Sequence, residues 1–309
     1  MFELINSETK FKFTSKFKIT GAISLSLVLI SLYLAFGHGL NYGVDFRGGA
    51  EIQIKFDGDV SSGSIRSVLN KNNVKASVQS IGVAGDNEYL VKIQTDSTQL
   101  NQATEKVSAI LSASFADKKF EIRKTDIVGP KAGAQLRVSG FQAMMWALIA
   151  IMVYIALRFD FKYSPGAIIA LLHDVIIVLG IFAVTGKEFT LQTVAALLAV
   201  IGYSVNDTVI VYDRVREHEN KYAGRKLESH IDNAINETLS RTILTSGTTL
   251  FISMAMFFFG GQSIHDFFFA ISLGVIIGTY SSIYVAAPVT LIFNRFNFSG
   301  KTKSTQVKA

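Results

Sequence analysis

The chain has 309 residues, of which 49% are hydrophobic and 17% are charged, and its formal net charge is +6. Because roughly a quarter of the residues in soluble proteins are charged, this composition argues against a single soluble domain. The absence of cysteine excludes a disulfide framework and a thiolate metal site.

Six apolar segments are long enough to cross a membrane. A bilayer core about 30 Å thick requires about 20 mostly apolar residues per helix, and lipid offers no hydrogen bonds to backbone amides. The segments are residues 19–36, 140–157, 166–185, 190–211, 242–260 and 267–293. The first follows a Lys-rich terminus but ends in Gly37, His38 and Gly39, which do not resemble a signal cleavage site. We therefore predict six membrane helices, the first of them uncleaved.

Lys and Arg divide the connecting loops into two groups. They cluster at both chain ends and after the second and fourth spans, whereas the other short loops contain only Lys187. Since cytoplasmic loops are enriched in Lys and Arg, we predict a multi-pass protein of the cytoplasmic (inner) membrane with both termini cytoplasmic. The positive charge then reflects orientation and not a nucleic-acid partner. The predicted organisation is a cytoplasmic segment at 1–18, a first membrane helix at 19–36, an external domain at 37–137, five further helices within 138–293 and a cytoplasmic tail at 294–309.

The external domain differs in kind from the rest of the chain. Its strands show a period of two, and its helices show apolar residues at helical spacing. The predicted elements are a strand at 51–56, a helix at 61–69, strands at 76–81 and 89–93 around a turn at 82–87, a helix at 100–115 and a strand at 120–123. The order βαββαβ predicts a ferredoxin-like α+β domain. We find no metal-ligand spacing and no phosphate-binding glycine loop in it, so we expect a contact or moving domain without a cofactor.

Ionisable residues inside the membrane spans are the candidate functional residues, because charge at membrane depth is costly. His173 and Asp174 lie near the middle of the third span, where they could serve a function or simply satisfy one another. Asp207 lies inside the fourth span, next to Asn206. Desolvation disfavours the charged form of a carboxyl group, so Asp207 is a candidate proton acceptor. The alternative is a fixed ion pair that locks helix packing.

The fifth and sixth spans contain further polar and small residues. Arg241 opens the fifth span and is either a partner of Asp207 or a flanking charge, and Thr245 and Ser246 follow it. Hydroxyl groups in a membrane helix can bond across helices or line a wet path. In the last span, small residues four apart predict close helix packing, and two ionisable residues at its outer end are expected to be solvated. These are Gly274 with Gly278, and His265 with Asp266.

Four of these segments together resemble one family. The residues after the first span, including Asp45, Arg47, Gly48 and Gly49, are similar to the signature that opens the external domain of SecD and SecF proteins. Residues 173–175, 202–208 and 241–246 are similar to further motifs of that family. The resemblance extends in order over residues 40–289, and the short external domain brings it closer to the SecF branch than to SecD.

The resemblance implies an accessory, non-enzymatic subunit of bacterial protein export. Members pair with SecD, assist the SecYEG translocon with its ATPase SecA, associate with YajC, and use the proton-motive force in late steps of translocation. Their external domains are thought to contact the emerging polypeptide. Carried over to this chain, Asp207, Arg241 and Asn206 are expected in a proton pathway. The resemblance leaves two roles open for His173, Asp174, Thr245 and Ser246, either proton pathway or helix packing, and it implies that Asp45, Arg47, Gly48 and Gly49 order the junction.

Three other functions fit the sequence less well than this expectation. A small-molecule exporter of the related RND type would have twelve spans and two long external domains, whereas this chain has six spans and one short domain. An intramembrane hydrolase using Asp174 and Asp207 would require two facing carboxylates, yet each has its own candidate basic neighbour. A passive scaffold would not require intramembrane Asp and Arg, because charge there is costly.

Overall fold

The structure is a computed structural model that describes residues 9–81, 85–94, 100–159, 161–222 and 224–295, with backbone alone at Leu100, Asn101, Gln262 and Arg295. Residues 82–84 of the predicted turn and residues 296–309 of the predicted tail lie outside this part. The helices are α1 Phe17–Tyr33, α2 Val44–Arg47, α3 Ser62–Lys71, α4 Leu100–Ser114, α5 Pro130–Arg158, α6 Ser164–Thr185, α7 Leu191–Lys221, α8 Leu227–Phe259, α9 Gln262–Ser281 and α10 Ala287–Arg295. The strands are β1 Asn41–Tyr42, β2 Gly49–Phe56, β3 Ala76–Ile81, β4 Glu88–Ile93, β5 Phe120–Val128 and β6 Glu188–Phe189.

The six predicted spans are confirmed as helices, and most extend beyond their predicted ends. In the described residues, six helical segments are long and apolar enough to cross a membrane. α8 begins at Leu227 and α5 at Pro130, well before the predicted starts at 242 and 140. The extra turns are polar, so a search for apolar segments does not detect them. A helix outside the bilayer requires only its backbone hydrogen bonds and one apolar face that packs on the protein.

Three of the spanning helices form the centre of the bundle. In the most apolar windows of α6, α7 and the last span, half or more of the residues are buried, against 17% or less in α1, α5 and α8. The last span consists of α9 and α10 joined by a π-helical turn at Ser282–Ala286. The Tyr212 hydroxyl of α7 donates to the Ala286 carbonyl at 3.1 Å, which provides this wider turn with a hydrogen bond from a neighbouring helix.

The segment before α1 lies against the first turns of α8. The Asn236 side chain accepts from the Phe11 backbone N–H at 3.0 Å and donates to the Phe11 carbonyl at 2.8 Å. The Asp232 carboxylate accepts from both the backbone N–H and the hydroxyl of Thr14, at 2.9 and 2.8 Å. These bonds connect two parts of the chain that are more than two hundred residues apart.

The external domain is a four-stranded sheet in the order β3-β4-β2-β5, with every neighbouring pair antiparallel. This arrangement is compatible with the predicted βαββαβ plan. Inward residues of β2, such as Ile52 and Ile54, pack with Leu69 of α3 and Leu111 of α4. β5 is longer than the predicted strand at 120–123, because this edge strand is largely exposed and lacks an apolar alternation beyond Ile122.

Candidate functional site

Asp207 lies at the meeting point of three membrane helices. Its side chain is 1% exposed. The Ser246 hydroxyl of α8 donates to Asp207 Oδ2 at 3.4 Å, and Ser246 Oγ also lies 3.1 Å from the Tyr203 hydroxyl and 2.7 Å from the Thr279 hydroxyl. α7, α8 and α9 thus contribute to one cluster of hydroxyls around a buried carboxyl group. We call Asp207, Ser246, Tyr203 and Thr279 the Asp207 cluster.

Asp174 lies in a second cluster, formed by α6, α7 and α9. His173 Nδ1 is 2.9 Å from Asp174 Oδ1, while the hydroxyls of Ser204 and Ser281 donate to Oδ2 at 2.6 and 2.8 Å. The ring of His173 stacks on Tyr280, which in turn bonds to Ser24 of α1. Both His173 and Asp174 are buried. The three oxygen and nitrogen atoms around this carboxylate connect α6, α7 and α9, and we call Asp174, His173, Ser204 and Ser281 the Asp174 cluster.

The two clusters lie on the same pair of helices, and a close helix contact accompanies them. Tyr203, Ser204 and Asp207 belong to α7, and Thr279 and Ser281 to α9. A Cβ atom at Gly274 would overlap Val200, and one at Gly278 would lie 3.0 Å from Ser204 Cβ. The predicted close packing at these glycines is therefore confirmed. The described hydrogen bonds give the two carboxyl groups no common partner.

Two of the predicted pathway residues lie outside the Asp207 cluster. The Arg241 side chain is exposed, and among the ion pairs within 4.0 Å in the described part of the chain none joins it to Asp207. Asn206 is exposed as well, since adjacent residues of a helix point about 100° apart. Thr245 bonds back to the carbonyls of Arg241 and Thr242 at 3.0 and 3.1 Å, within its own helix.

Arg241 instead lines a polar cleft at the end of the bundle opposite the external domain. The cleft has a volume of about 300 Å³ and lies between α5, α7 and α8. Its charged lining includes Asp213, Glu217, Arg214 and Glu237 besides Arg241. Glu237 pairs with Arg214 at 3.4 Å and with His218 at 3.0 Å. Arg241 therefore stands between this cleft and the turn of α8 that carries Ser246.

The junction residues connect the external domain to the outer ends of the membrane helices. Asp45 Oδ2 accepts from the backbone N–H of Leu191, the first residue of α7, at 2.9 Å. Arg47 donates to Gln94, which follows β4, at 3.3 Å. β1 pairs in parallel with β6, so that the chain after the first span and the chain before α7 form a two-stranded ladder. The junction is thus built from both the external domain and the membrane bundle.

Gly48 and Gly49 occupy backbone positions that other residues do not tolerate. Gly48 has φ +86° and Gly49 has φ +149°, both in the region that favours glycine. A Cβ atom at Gly48 would lie 2.8 Å from the Pro130 backbone, and one at Gly49 would fall on the Ile93 carbonyl oxygen. The two glycines therefore let β2, β4 and the start of α5 approach each other.

Gly49→Ala is expected to destabilise the external domain by about 1–3 kcal/mol, because the added carbon must displace backbone. The measurement is the thermal unfolding midpoint of the full chain in detergent. Gly63→Ala is the matched control, since Gly63 lies in α3 and a Cβ there meets only Ser61 Oγ at 3.8 Å. This control should be neutral or stabilising. Equal midpoints for both variants would contradict the assignment.

A partly buried lysine lies beside the junction, between carboxylates of two different parts of the chain. Lys92 Nζ of β4 is 3.3 Å from Glu51 of β2 and 3.5 Å from Glu188 of β6, and its side chain is 12% exposed. Burial lowers the pKa of Lys92, but the two carboxylates outweigh it and raise this pKa above its ordinary value. Burial raises the pKa of Glu51, and Lys92 opposes this shift.

Several residues of these sites were not predicted. Thr279 and Tyr280 of α9 were not predicted, although hydroxyls that recur inside an apolar span are a usable signal. Lys92 was missed because a lone Lys in a strand carries no motif. The two ionisable residues at the outer end of the last span are partly exposed, with side-chain exposures of 33% for His265 and 30% for Asp266, and Lys187 pairs with Asp266 at 2.6 Å and lies 3.3 Å from His265. In the described residues, no group of three His, Asp or Glu is arranged to hold a metal ion.

Comparison with protein families gives two matches along the chain. Residues 107–295 match the family described as "Protein export membrane protein SecD/SecF, C-terminal", and residues 33–60 match the "SecD/SecF GG Motif". The second match contains Gly48 and Gly49. The two matches together cover the junction and the membrane helices from α5 onward.

Curated relatives and solved structures agree with these matches. The chain is 39% identical to "Protein translocase subunit SecF" of Calditerrivibrio nitroreducens, over 92% of this chain and 94% of the relative. It is also 39% identical to the protein of that name from Rickettsia rickettsii, with 96% of each chain covered. The crystal structure of SecDF, a translocon-associated membrane protein from Thermus thermophilus, is similar with a TM-score of 0.79 and 32% identity. The super-membrane-facing form of SecDF has a TM-score of 0.73. These matches cover 94% and 96% of this chain but 40% of the SecDF chains, so the chain spans less than half of their length. The chain belongs to the SecD/SecF family of protein export membrane proteins.

Proposed function

We propose that this chain is a subunit of the Sec protein-export machinery that couples the proton-motive force to late steps of polypeptide translocation. Its working partners are a SecD subunit, the SecYEG translocon with SecA, and the polypeptide that emerges at the external domain. YajC is a further partner in this proposal. Both termini lie in the cytoplasm, as the distribution of Lys and Arg predicts.

The observation that carries the proposal is the environment of Asp207. The carboxyl group is buried, its closest hydrogen bond is the 3.4 Å contact from Ser246, and the described ion pairs give it no cation within 4.0 Å. A buried charge without a close partner is expensive, whereas a neutral acid at the same place is not. Asp207 is therefore suited to bind and release a proton during a change in helix packing.

Arg241 supports this function from the polar cleft and not from a direct bond to Asp207. A proton that leaves Asp207 toward the end of the bundle away from the external domain meets first Ser246 and then the cleft lined by Arg241. If α8 brought Arg241 closer, the guanidinium group would stabilise an ionised Asp207. A protonated Asp207 would no longer attract Arg241. One proton that crosses 100 mV supplies about 2.3 kcal/mol, which is enough to bias such a two-state packing.

The exposed polar side chains of α7 and α8 favour a partner subunit at this face. Asn206 and Arg241 are exposed in this chain although Asn206 lies inside an apolar span. Polar side chains at membrane depth usually face a bundle interior or a water-filled cavity. A SecD subunit that covers this face would complete the proton pathway with its own helices. Asn206 would then line the pathway between the two subunits, in agreement with the expectation that it belongs to a proton pathway.

His173 and Asp174 serve helix packing in this proposal. Asp174 accepts from Ser204 of α7, from Ser281 of α9 and from the adjacent His173 of α6. All three partner residues are buried. A carboxylate held in this way fixes α6, α7 and α9 relative to each other. α8 contributes no residue to the Asp174 cluster and is therefore the helix that can move against it.

The proposal predicts that stimulation of export by this chain depends on the proton-motive force. Inverted membrane vesicles with SecYEG, a SecD subunit and this chain should translocate a preprotein faster than vesicles without the chain. A protonophore should remove that difference while SecA-driven translocation with ATP continues. A stimulation that survives the protonophore would indicate a passive scaffold. Transport of a small-molecule dye in place of protein would favour an exporter.

A further inference from the structure

The external domain is not directly adjacent in sequence to the helix that carries Asp207, because α5 and α6 lie between them. It is continuous with α1 through β1 and with α5 through β5, whereas α7 follows β6 on the opposite side of the junction. A displacement of α7 must therefore reach the external sheet through noncovalent contacts. The structure contains a small number of such contacts.

The first contact is the ion pair between Lys92 and Glu188. Lys92 belongs to β4, a central strand of the external sheet, and Glu188 lies three residues before the start of α7. Their charged atoms are 3.5 Å apart, and Glu51 on the neighbouring strand holds the same amino group at 3.3 Å. The side chains are 12% and 21% exposed, so solvent screens this pair less than a surface ion pair.

The second contact is made by Asp45 at the first residue of α7. Asp45 Oδ2 accepts the Leu191 N–H, which no residue inside the helix could bond. Thr190 and Thr193 cap the same helix end through a capping box. A carboxylate at this position also interacts favourably with the positive end of the helix dipole. α7 is thus held at its outer tip by a residue of the external junction.

The sheet also rests on a second helix of the Asp207 cluster. β3, the edge strand next to β4, lies against α9. α9 contributes Thr279 to the Asp207 cluster, and α7 contributes Asp207 and Tyr203. The external sheet therefore contacts α9 directly through β3, and it contacts the segment that leads into α7 through Lys92 and Glu188.

We propose that Lys92 and Asp45 are positioning residues that tie the external sheet to α7, so that displacement of α7, together with α6 and α9, relative to α8 during proton transfer moves the external domain with it. We call Lys92, Glu188, Asp45 and Leu191 the tie. The proposal rests on the proposed function, because it gives a path by which the proton-driven movement reaches the polypeptide-contacting domain. Lys92 would act by its charge, and Asp45 by its bond to the helix end.

The tie itself can be measured independently of export, because the chain has no cysteine of its own. Spin labels at Ser112→Cys of α4 and Gln192→Cys of α7, both exposed, report the distance between sheet and helix in the full chain. The parent protein should give one narrow distance distribution. Lys92→Met with Asp45→Ala should broaden it at least twofold, because alanine has no acceptor for the Leu191 N–H, and Lys92→Arg with Asp45 intact should keep it narrow. Lys124→Met is the matched control, since Lys124 forms an exposed ion pair with Asp126 on β5.

The same variants separate coupling from proton transfer. With the tie broken, proton uptake by proteoliposomes that contain the chain and a SecD subunit should persist, while proton-dependent export stimulation should fall at least fivefold. Lys92→Arg should restore stimulation. An unchanged distance distribution, or a broadened one with full stimulation, would overturn the proposal. If the parent protein shows no proton-dependent stimulation, the proposed function fails, and the distance measurement alone decides whether the tie exists.

Discussion

Asp207→Asn is expected to abolish the stimulation of export that depends on the proton-motive force. Asparagine has the size of aspartic acid and can still accept from Ser246, but it cannot bind and release a proton at this position. Protein levels, membrane insertion and assembly with a SecD subunit should be unchanged, because the single 3.4 Å bond to Ser246 contributes little to stability. The measurement is preprotein translocation into inverted vesicles with and without a protonophore.

Two further variants make this expectation specific to proton transfer. Asp207→Glu retains a titratable carboxyl group and should keep part of the stimulation, whereas Asp207→Asn should keep none. Thr248→Val on α8 is the control, since the Thr248 hydroxyl is exposed and bonds to carbonyls of its own helix. Full proton-dependent stimulation in Asp207→Asn, at normal assembly, would refute the assignment of Asp207.

Asp174→Leu is expected to destabilise the bundle by about 3–5 kcal/mol, the cost of removing one partner from a buried polar pair. Leucine is close in size to aspartic acid, but it would leave His173, Ser204 and Ser281 as buried groups without the acceptor they share. The thermal unfolding midpoint of the purified chain in detergent measures this loss.

Asp174→Asn provides the comparison for this second expectation. The amide oxygen can still accept from the two serines, so a smaller destabilisation should result, and proton-dependent export should survive in proportion to the folded protein. If Asp174→Asn instead folded normally and lost proton-dependent export as fully as Asp207→Asn, Asp174 would belong to the proton pathway and not to helix packing.

Much of the fold follows from properties that the sequence displays locally. Six spans could be predicted because membrane depth selects about 20 apolar residues, and the external elements because strands and helices have different periods. The helix ends could not be predicted in the same way. α8 starts at Leu227 because its first turns are amphipathic and pack on α7 and on the segment before α1, a tertiary effect that hydropathy does not detect.

The candidate site could be predicted residue by residue but not as an arrangement. The cost of charge at membrane depth identified Asp174 and Asp207 from sequence alone. Their partners depend on how the helices are rotated around their axes, and this rotation is set by packing between distant segments. Asn206 therefore points away from Asp207 although the two are adjacent in sequence, while Ser281 reaches Asp174 across 107 residues. Arg241 was a candidate chiefly through the family resemblance, and the structure gives it the neighbouring cleft.

The bonds between the segment before α1 and the first turns of α8 bear on how the protein is made. The backbone of Phe11 and Thr14 is synthesised more than two hundred residues before Asp232 and Asn236. The N-terminal segment must therefore wait without these partners while four membrane helices are inserted. Docking of this segment is a late event of biogenesis, and it marks the point at which the first and fifth spans become parts of one closed bundle.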